Sequence, residues 1–270
     1  MKKLDKKLTI IKYGSNTLVK EGVDGDISID YNNMSNHGLI INKTKDPVII
    51  ISSGAVAFGK SLNSNLDYIE DRIIKKRILA ALGNPHLSIN WDKYILDKFV
   101  LQSLLTHKDL SSNLSKEKIL EIICTIFDKK KQDFIIQVND NDFITDEELI
   151  ELRSGEFGDN DETTKLLAIL CDNFFEEVEI IINTSSDGVF EDDKIISLLS
   201  TDKLTDDYID SICCENKTNL GTGGMSNKLR IIRDLVNKTN NSKVYIINGK
   251  NPDQLKNILK GRDEGTKIYK

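Results

Sequence analysis

The stretch Gly221 to Lys228 reads GTGGMSNK and places Gly221, Gly223 and Gly224 within four positions, in a chain with only 16 glycines in 270 residues. Met225, Leu229, Ile232, Leu235 and Val236 follow at helical spacing. Three glycines before a helix, with a lysine on its first turn, suit an anion. Bare backbone N–H groups can approach a ligand closely, a helix N-terminus favours negative charge, and the lysine adds a full positive charge. A flexible linker or a tight turn has the same composition, so the glycines by themselves leave both readings open.

A second glycine–lysine pattern competes for the same chemistry. Gly54 to Ser61, GAVAFGKS, carries every fixed position of the phosphate-binding P-loop pattern and follows an apolar run. On that reading Lys60 meets the β- and γ-phosphates, and Asp140 or Asp142 holds magnesium. Two points weigh against it. Ala55-Val56-Ala57-Phe58 looks like the first turns of a buried helix rather than an anion nest. The LNSNLDY that follows is a poor helix to supply a dipole.

The elements that must position these groups are legible as short apolar runs. Leu8–Ile11, Val48–Ile51, Val100–Leu105, Phe134–Val138, Val178–Ile182 and Val244–Ile247 read as buried strands, continuous rather than alternating, as in a parallel sheet covered on both faces. Helical patterns fall between them at Ile69–Leu82, Ile89–Phe99, Ser115–Lys130, Thr163–Cys171, Ser226–Asn237 and Asp253–Lys260. The alternation predicts an α/β fold with right-handed crossovers. With three prolines and no low-complexity linker, one domain over residues 1–270 is expected. Ligands of such folds sit at the carboxyl ends of the strands, which is where KYGSN, SSGA, NDND and NTSSDG fall. The segment Asp142 to Gly158, with RSGEFG, reads as a hairpin or loop over a site.

Taken in order, IKYGSNTL, VIIISSGAVAFG, LAALGN, LLTHKDL, VNDND, GDND, NTSSDGVF, GTGGMSNKL and IINGKNPDQLKNILKG resemble the glutamate 5-kinases of the amino acid kinase family over nearly the whole chain. SSGA, GDND and GTGGM are specific as a set, whereas each alone is weak. GRDEGTKI resembles the end of that family's kinase domain, and the PUA domain that follows it in many members is not expected. The resemblance implies a three-layer αβα sandwich with a mainly parallel central sheet. It implies transfer of the γ-phosphoryl group of ATP, with Mg2+ bound to the nucleotide, to the γ-carboxylate of L-glutamate. That is the first step of proline biosynthesis, in the cytoplasm. It also implies a homo-oligomer, dimer or tetramer, with proline as a feedback inhibitor.

Site residues carry over position by position. By resemblance Lys12 and Lys228 stabilise charge on the transferred phosphoryl group, Asp161 orients both lysines, and Gly14 lets the chain pass close to the phosphates. Thr184 and Ser185 match nucleotide positions after the fifth apolar run; Thr222, Gly223, Gly224, Met225, Ser226, Asn227 and Lys228 match the nucleotide loop. Ser53, Gly54, Ala55, Asp142 and Asn160 match the glutamate positions, with Asp142 suited to the ammonium group and Ser53 and Asn160 to the carboxylates. No general base is required, because a carboxylate nucleophile is already ionised at neutral pH. Each residue has a plain structural alternative. Lys12 could be a strand-end charge, Asp161 a cap for a helix starting near Thr163, Ser53 and Asn160 turn formers. The chain departs from the family pattern at Ser185 (usually acidic), Asp140 (usually Glu) and Asn84 (often Gln), and its 142–158 segment is longer.

Composition removes several other classes. Hydrophobic residues are 39% and charged residues 30%, which fits a globular chain. A net charge of -6 with dispersed basic residues argues against nucleic acid, and the absence of a long apolar run argues against a membrane span. Cys124, Cys171, Cys213 and Cys214 make no CxxC pair and no histidine lies at ligand spacing, which argues against a zinc site. Two rivals remain. One is a kinase of the same fold acting on acetylglutamate, aspartate, carbamate or a phosphate monoester. The other is a non-catalytic sensor, which has little use for two lysines and Asp161 arranged around a transition state.

Overall fold

The computed structural model describes residues 2–21, 27–62, 65–128, 133–145, 159–214 and 222–270. Its strands are β1 Leu4–Tyr13, β2 Val19–Glu21, β3 Ile27–Ile29, β4 Val48–Ser52, β5 Phe99–Leu105, β6 Phe134–Asp140, β7 Phe175–Thr184, β8 Phe190–Glu191, β9 Lys194–Ile195, β10 Leu198–Ser200, β11 Ser242–Asn248 and β12 Thr266–Tyr269. Its helices are α1 Ser15–Leu18, α2 Tyr31–Asn42, α3 Ala55–Leu62, α4 Arg72–Tyr94, α5 His107–Ser111, α6 Asn113–Phe127, α7 Asp159–Asp172, α8 Asp206–Cys214, α9 Thr222–Lys238 and α10 Pro252–Ile258.

The six runs of Val and Ile form the parallel body of an eight-stranded sheet, order β10-β12-β11-β7-β1-β4-β6-β5. Within this sheet, among the described residues, only the β11–β12 pairing is antiparallel. Helices cover both faces, so the central strands are apolar on both sides. Along β1, Leu8 and Ile10 face a core completed by Leu167 and Ala168 of α7 and Leu229 and Ile232 of α9. Ile11 and Tyr13 face the opposite core, with Met34 of α2, Phe58 of α3, Ala80 and Trp91 of α4 and Leu255 of α10. The two-residue period therefore puts Lys12 on the same side as Ile10, beneath α7 and α9. Lys12 lies in register with Ile51 of β4 and Ile182 of β7.

Helix α4 corrects the expectation of two helices, Ile69–Leu82 and Ile89–Phe99. One helix runs from Arg72 to Tyr94 straight through Pro85. An internal proline costs about 3 kcal/mol. Leu79, Ala80, Gly83, Asn84, Leu87 and Trp91 form one buried stripe that spans the proline, and breaking the helix there would expose it. Helix α9 also starts earlier than expected, at Thr222, so Gly223 and Gly224 lie inside it and Lys228 sits nearly two turns in. The expected strand ends hold within a residue or two in β4 and β6, whereas β1 and β7 run longer. Helices α1, α2, α5 and α8, the strands β10 and β12 and the short pairs β2–β3 and β8–β9 went unread. Of the segment expected as a hairpin or loop, 142–145 forms a turn and 146–158 lies outside the described residues. Among the described residues no helix is long and apolar enough to cross a membrane.

Candidate active site

Three elements that are far apart in sequence bring three charges to one point. β1 delivers Lys12, the first turn of α7 delivers Asp161, and α9 delivers Lys228. Lys12 Nζ lies 2.7 Å from Asp161 Oδ1, and Lys228 Nζ donates to Asp161 Oδ2. Lys12 and Asp161 are each 6% exposed. Burial drives the Asp161 carboxyl upward, but the two ammonium groups outweigh it and hold the carboxyl at about 2. Burial, reinforced by the Lys12 ammonium, lowers Lys228 to about 8 against the pull of Asp161. Two ammonium groups share one carboxylate, so the cluster carries net positive charge with its cations already aimed together. Such a cluster is completed by an anion. Asp161 does not cap a helix start: α7 begins at Asp159, which puts Asp161 inside the first turn, with its carboxylate on the lysines.

The neighbouring groups are set at the carboxyl ends of β4, β6 and β7. Asn160, beside Asp161, donates from Nδ2 to Ser53 Oγ at 2.6 Å and to Asn139 Oδ1 at 3.2 Å. Its own Oδ1 is buried without a partner among the described residues. Asn139 in turn donates to Asn84 Oδ1 at 2.8 Å. Gly54 has φ +110°, a conformation that favours glycine, and its carbonyl accepts from Phe58 N to open α3. Ala55 is buried in the first turn of α3. Asp142 lies in the turn after β6, where Ile144 N and Thr145 N both donate to Asn141 O. Asn183, opposite Tyr13, donates to the Lys12 carbonyl at 3.1 Å, and its buried Oδ1 has no partner among the described residues. Thr184 Oγ1 donates to the carbonyls of Ser186 and Ile247, while Ser185 beside it is exposed.

The glycine positions differ in what they need. A Cβ at Gly14 would meet Lys12 Nζ and Asn183 O at 3.8 Å, ordinary contact, so packing does not demand a glycine there. A Cβ at Gly224 would meet nothing within 4 Å. A helical glycine costs about 1 kcal/mol against alanine, and among the described residues no contact accounts for it. Met225 packs against the core, and Ser226 and Asn227 follow on the same helix, half-buried. Thr222 and Gly223 open the helix; Gly221 lies outside the described residues.

The P-loop reading fails on the same geometry. Gly59 lies inside α3, and a Cβ there would sit 2.0 Å from Leu79 O of α4. Lys60 projects from this helix into solvent. Asp140 is 2% exposed and accepts from Thr163 Oγ1 at 2.7 Å, which makes it a tie between β6 and α7. Sequence reasoning passed over Asn139, Asn183 and Thr163. Their signal was position: each stands at a strand end or a helix start among the polar clusters.

Known proteins resemble this chain in sequence and in fold. The glutamate 5-kinase of Haemophilus influenzae is 28% identical over 277 residues, 98% of this chain and 69% of that one. That of Xylella fastidiosa is 28% identical over 266 residues, 96% of this chain and 64% of that one. The chain thus spans 64 to 69% of the length of these relatives. Among solved structures, the isopentenyl phosphate kinase of T. acidophilum superposes with a TM-score of 0.58 at 10% identity, covering 97% of this chain and 99% of that one. The UMP kinase of Bacillus anthracis gives 0.55 at 17%, covering 98% and 97%. At these identities the likeness is one of fold. Residues 7–248, most of the chain and including Lys12, Asp161 and Lys228, match the amino acid kinase family. The chain belongs to the amino acid kinase family.

Proposed function

We propose that the chain transfers the γ-phosphoryl group of ATP to the γ-carboxylate of L-glutamate, giving glutamyl 5-phosphate, the first step of proline biosynthesis. The observation that carries this reading is Asp161 holding Lys12 and Lys228 on its two oxygens. Both reactants are anions. Two preset ammonium groups offset their repulsion and meet the charge that builds on the equatorial oxygens during transfer. The acceptor carboxylate needs no base. Asp161 is already engaged by two lysines, so magnesium would travel on the phosphates as part of the MgATP substrate. Gly14, Thr184, Ser185 and the first turns of α9, Thr222 to Lys228, would face the nucleotide.

The acceptor end supports an amino acid over a phosphate monoester. Ser53 and Asn160 offer neutral hydrogen-bonding groups, the backbone of Gly54 and Ala55 lies beside them, and the Asp142 carboxylate suits an ammonium. The names of the curated relatives point to glutamate within that class. The test is ATP consumption over a panel of amino acids and phosphate monoesters, with hydroxylamine to trap an acyl phosphate. L-glutamate is expected to give hydroxamate well above aspartate and N-acetylglutamate, since acetylation removes the charge that would meet Asp142. Turnover of N-acetylglutamate above glutamate would sink the assignment. Oligomerisation and inhibition by proline remain proposals drawn from the same resemblance.

A further inference from the structure

Helix α4 lies outside the charge cluster, yet it meets each piece of the acceptor end. Arg77, Asn84 and Trp91 recur every seventh residue along it. Seven residues are close to two turns, about 10.5 Å of rise, so the three side chains leave nearly the same face. Arg77 Nη2 donates to Thr145 O at 2.7 Å and so ties down the turn that carries Asp142. Asn84 Oδ1 accepts from Asn139 Nδ2 at 2.8 Å, and Asn139 Oδ1 accepts from Asn160. Trp91 Nε1 donates to Ser52 Oγ at 3.0 Å, one residue before Ser53. The depth of the helix is set as well. A Cβ at Gly83 would lie 1.8 Å from Ala55 O, so α4 touches the backbone of α3 directly. From below, Gln102 Nε2 donates to the Asn84 carbonyl at 3.0 Å.

We propose that α4 is a rail for the acceptor pocket: Arg77, Asn84 and Trp91 are positioning residues that set the placement of Asp142, Asn160 and Ser53 without touching the substrate. This deepens the glutamate kinase reading and rests on it. The physical case is that hydrogen-bonding groups on loops are placed only as well as their supports allow, and here the supports sit on one rigid 23-residue helix. A helix that merely packed would need an apolar stripe alone. This one adds a polar group at each seventh position: Arg77 and Asn84 reach the turn after β6 and the end of β6, and Trp91 reaches the end of β4.

Arg77→Met keeps the side-chain stem and removes the fork; Asn84→Ala removes the acceptor for Asn139, and Asn84→Asp restores an acceptor oxygen. Each lost hydrogen bond is expected to raise the KM for glutamate about three- to tenfold, with the KM for MgATP within about twofold and Asn84→Asp recovering part of the loss. A purely structural role would lower Tm and disturb both substrates alike, and parallel rises in the two KM values would overturn the proposal. So would a folded Arg77→Met enzyme with an unchanged KM for glutamate. A second readout does not depend on turnover. Hydrogen exchange in the segment 139–145 should quicken in Arg77→Met while β1 and α9 keep their protection; an unchanged 139–145 segment would refute the rail. If the wild-type chain turned over no glutamate, the functional reading would fall and the exchange result alone would decide the role of α4.

Discussion

Two stretches of this chain use nearly the same letters for opposite physical ends. GAVAFGKS, residues 54–61, satisfies a phosphate-binding pattern. GTGGMSNK, residues 221–228, satisfies no strict one. In the first, Gly59 is a packing residue: its missing Cβ lets α3 and α4 touch backbone to backbone, and Lys60 points into solvent. In the second, Gly224 packs against none of the described residues, and Lys228 is half-buried with its ammonium on the Asp161 carboxylate. A glycine leaves room either for the protein or for a ligand. Which of the two holds depends on what stands opposite, and that is a tertiary fact.

The comparison can be broken most severely by one substitution made in both places. Gly59→Ala should destabilise the fold on the order of 3 kcal/mol, because Leu79 O is a backbone atom that cannot swing aside. Denaturant unfolding should show it, and a Tm equal to wild type would mean that the helices are not in contact. Gly224→Ala should leave Tm unchanged or slightly raised, since a helical alanine is favoured by about 1 kcal/mol. It should instead raise the KM for MgATP. A Gly224→Ala enzyme with normal nucleotide kinetics would remove the case for a bare backbone kept for phosphates.

The lysines give the next contrast. Lys228→Met should lower kcat by a factor equivalent to about 2–4 kcal/mol of transition-state stabilisation, with circular dichroism unchanged. Should only the KM for glutamate move, Lys228 would not be stabilising the phosphoryl group. The pH dependence sharpens this further. Burial and the Lys12 ammonium hold Lys228 at about 8 in the free protein, so the cluster loses a positive charge as pH rises through that value. kcat/KM for ATP, which reports the free enzyme, should fall above about pH 8. Bound phosphates favour the charged lysine, so the alkaline limb of kcat should lie higher. Coincident limbs would argue that Lys228 does not face the nucleotide. The smallest effect belongs to Lys60→Ala, which should keep activity within about threefold, as expected for an exposed side chain. A folded but inactive Lys60→Ala protein would restore the P-loop reading.

Much of the fold was legible because parallel strands buried on both faces must be continuously apolar, and helices between them must carry a stripe. That signal is local, and it marked the six central strands and the strand ends where the polar clusters fall, but not the edge strands β10 and β12. It failed where local preference and burial disagree. Pro85 argues for a break, yet α4 continues because Leu79, Gly83, Leu87 and Trp91 lie on one buried face. Gly223 and Gly224 argue for a loop, yet they open α9.

What the sequence by itself determined is the alternation of strand and helix and the set of residues able to meet anions and an ammonium. Those follow from side-chain chemistry and from periods of 2 and 3.6, which need no partner. What only the tertiary structure decided is pairing. Lys12, Asp161 and Lys228 stand 149 and 67 positions apart in sequence, and nothing local says that one carboxylate holds both ammonium groups. The same holds for the tie from Asn84 through Asn139 to Asn160. Register between β1, β4, β6 and β7 sets these distances, and register is fixed by how two cores pack on the two faces of one sheet.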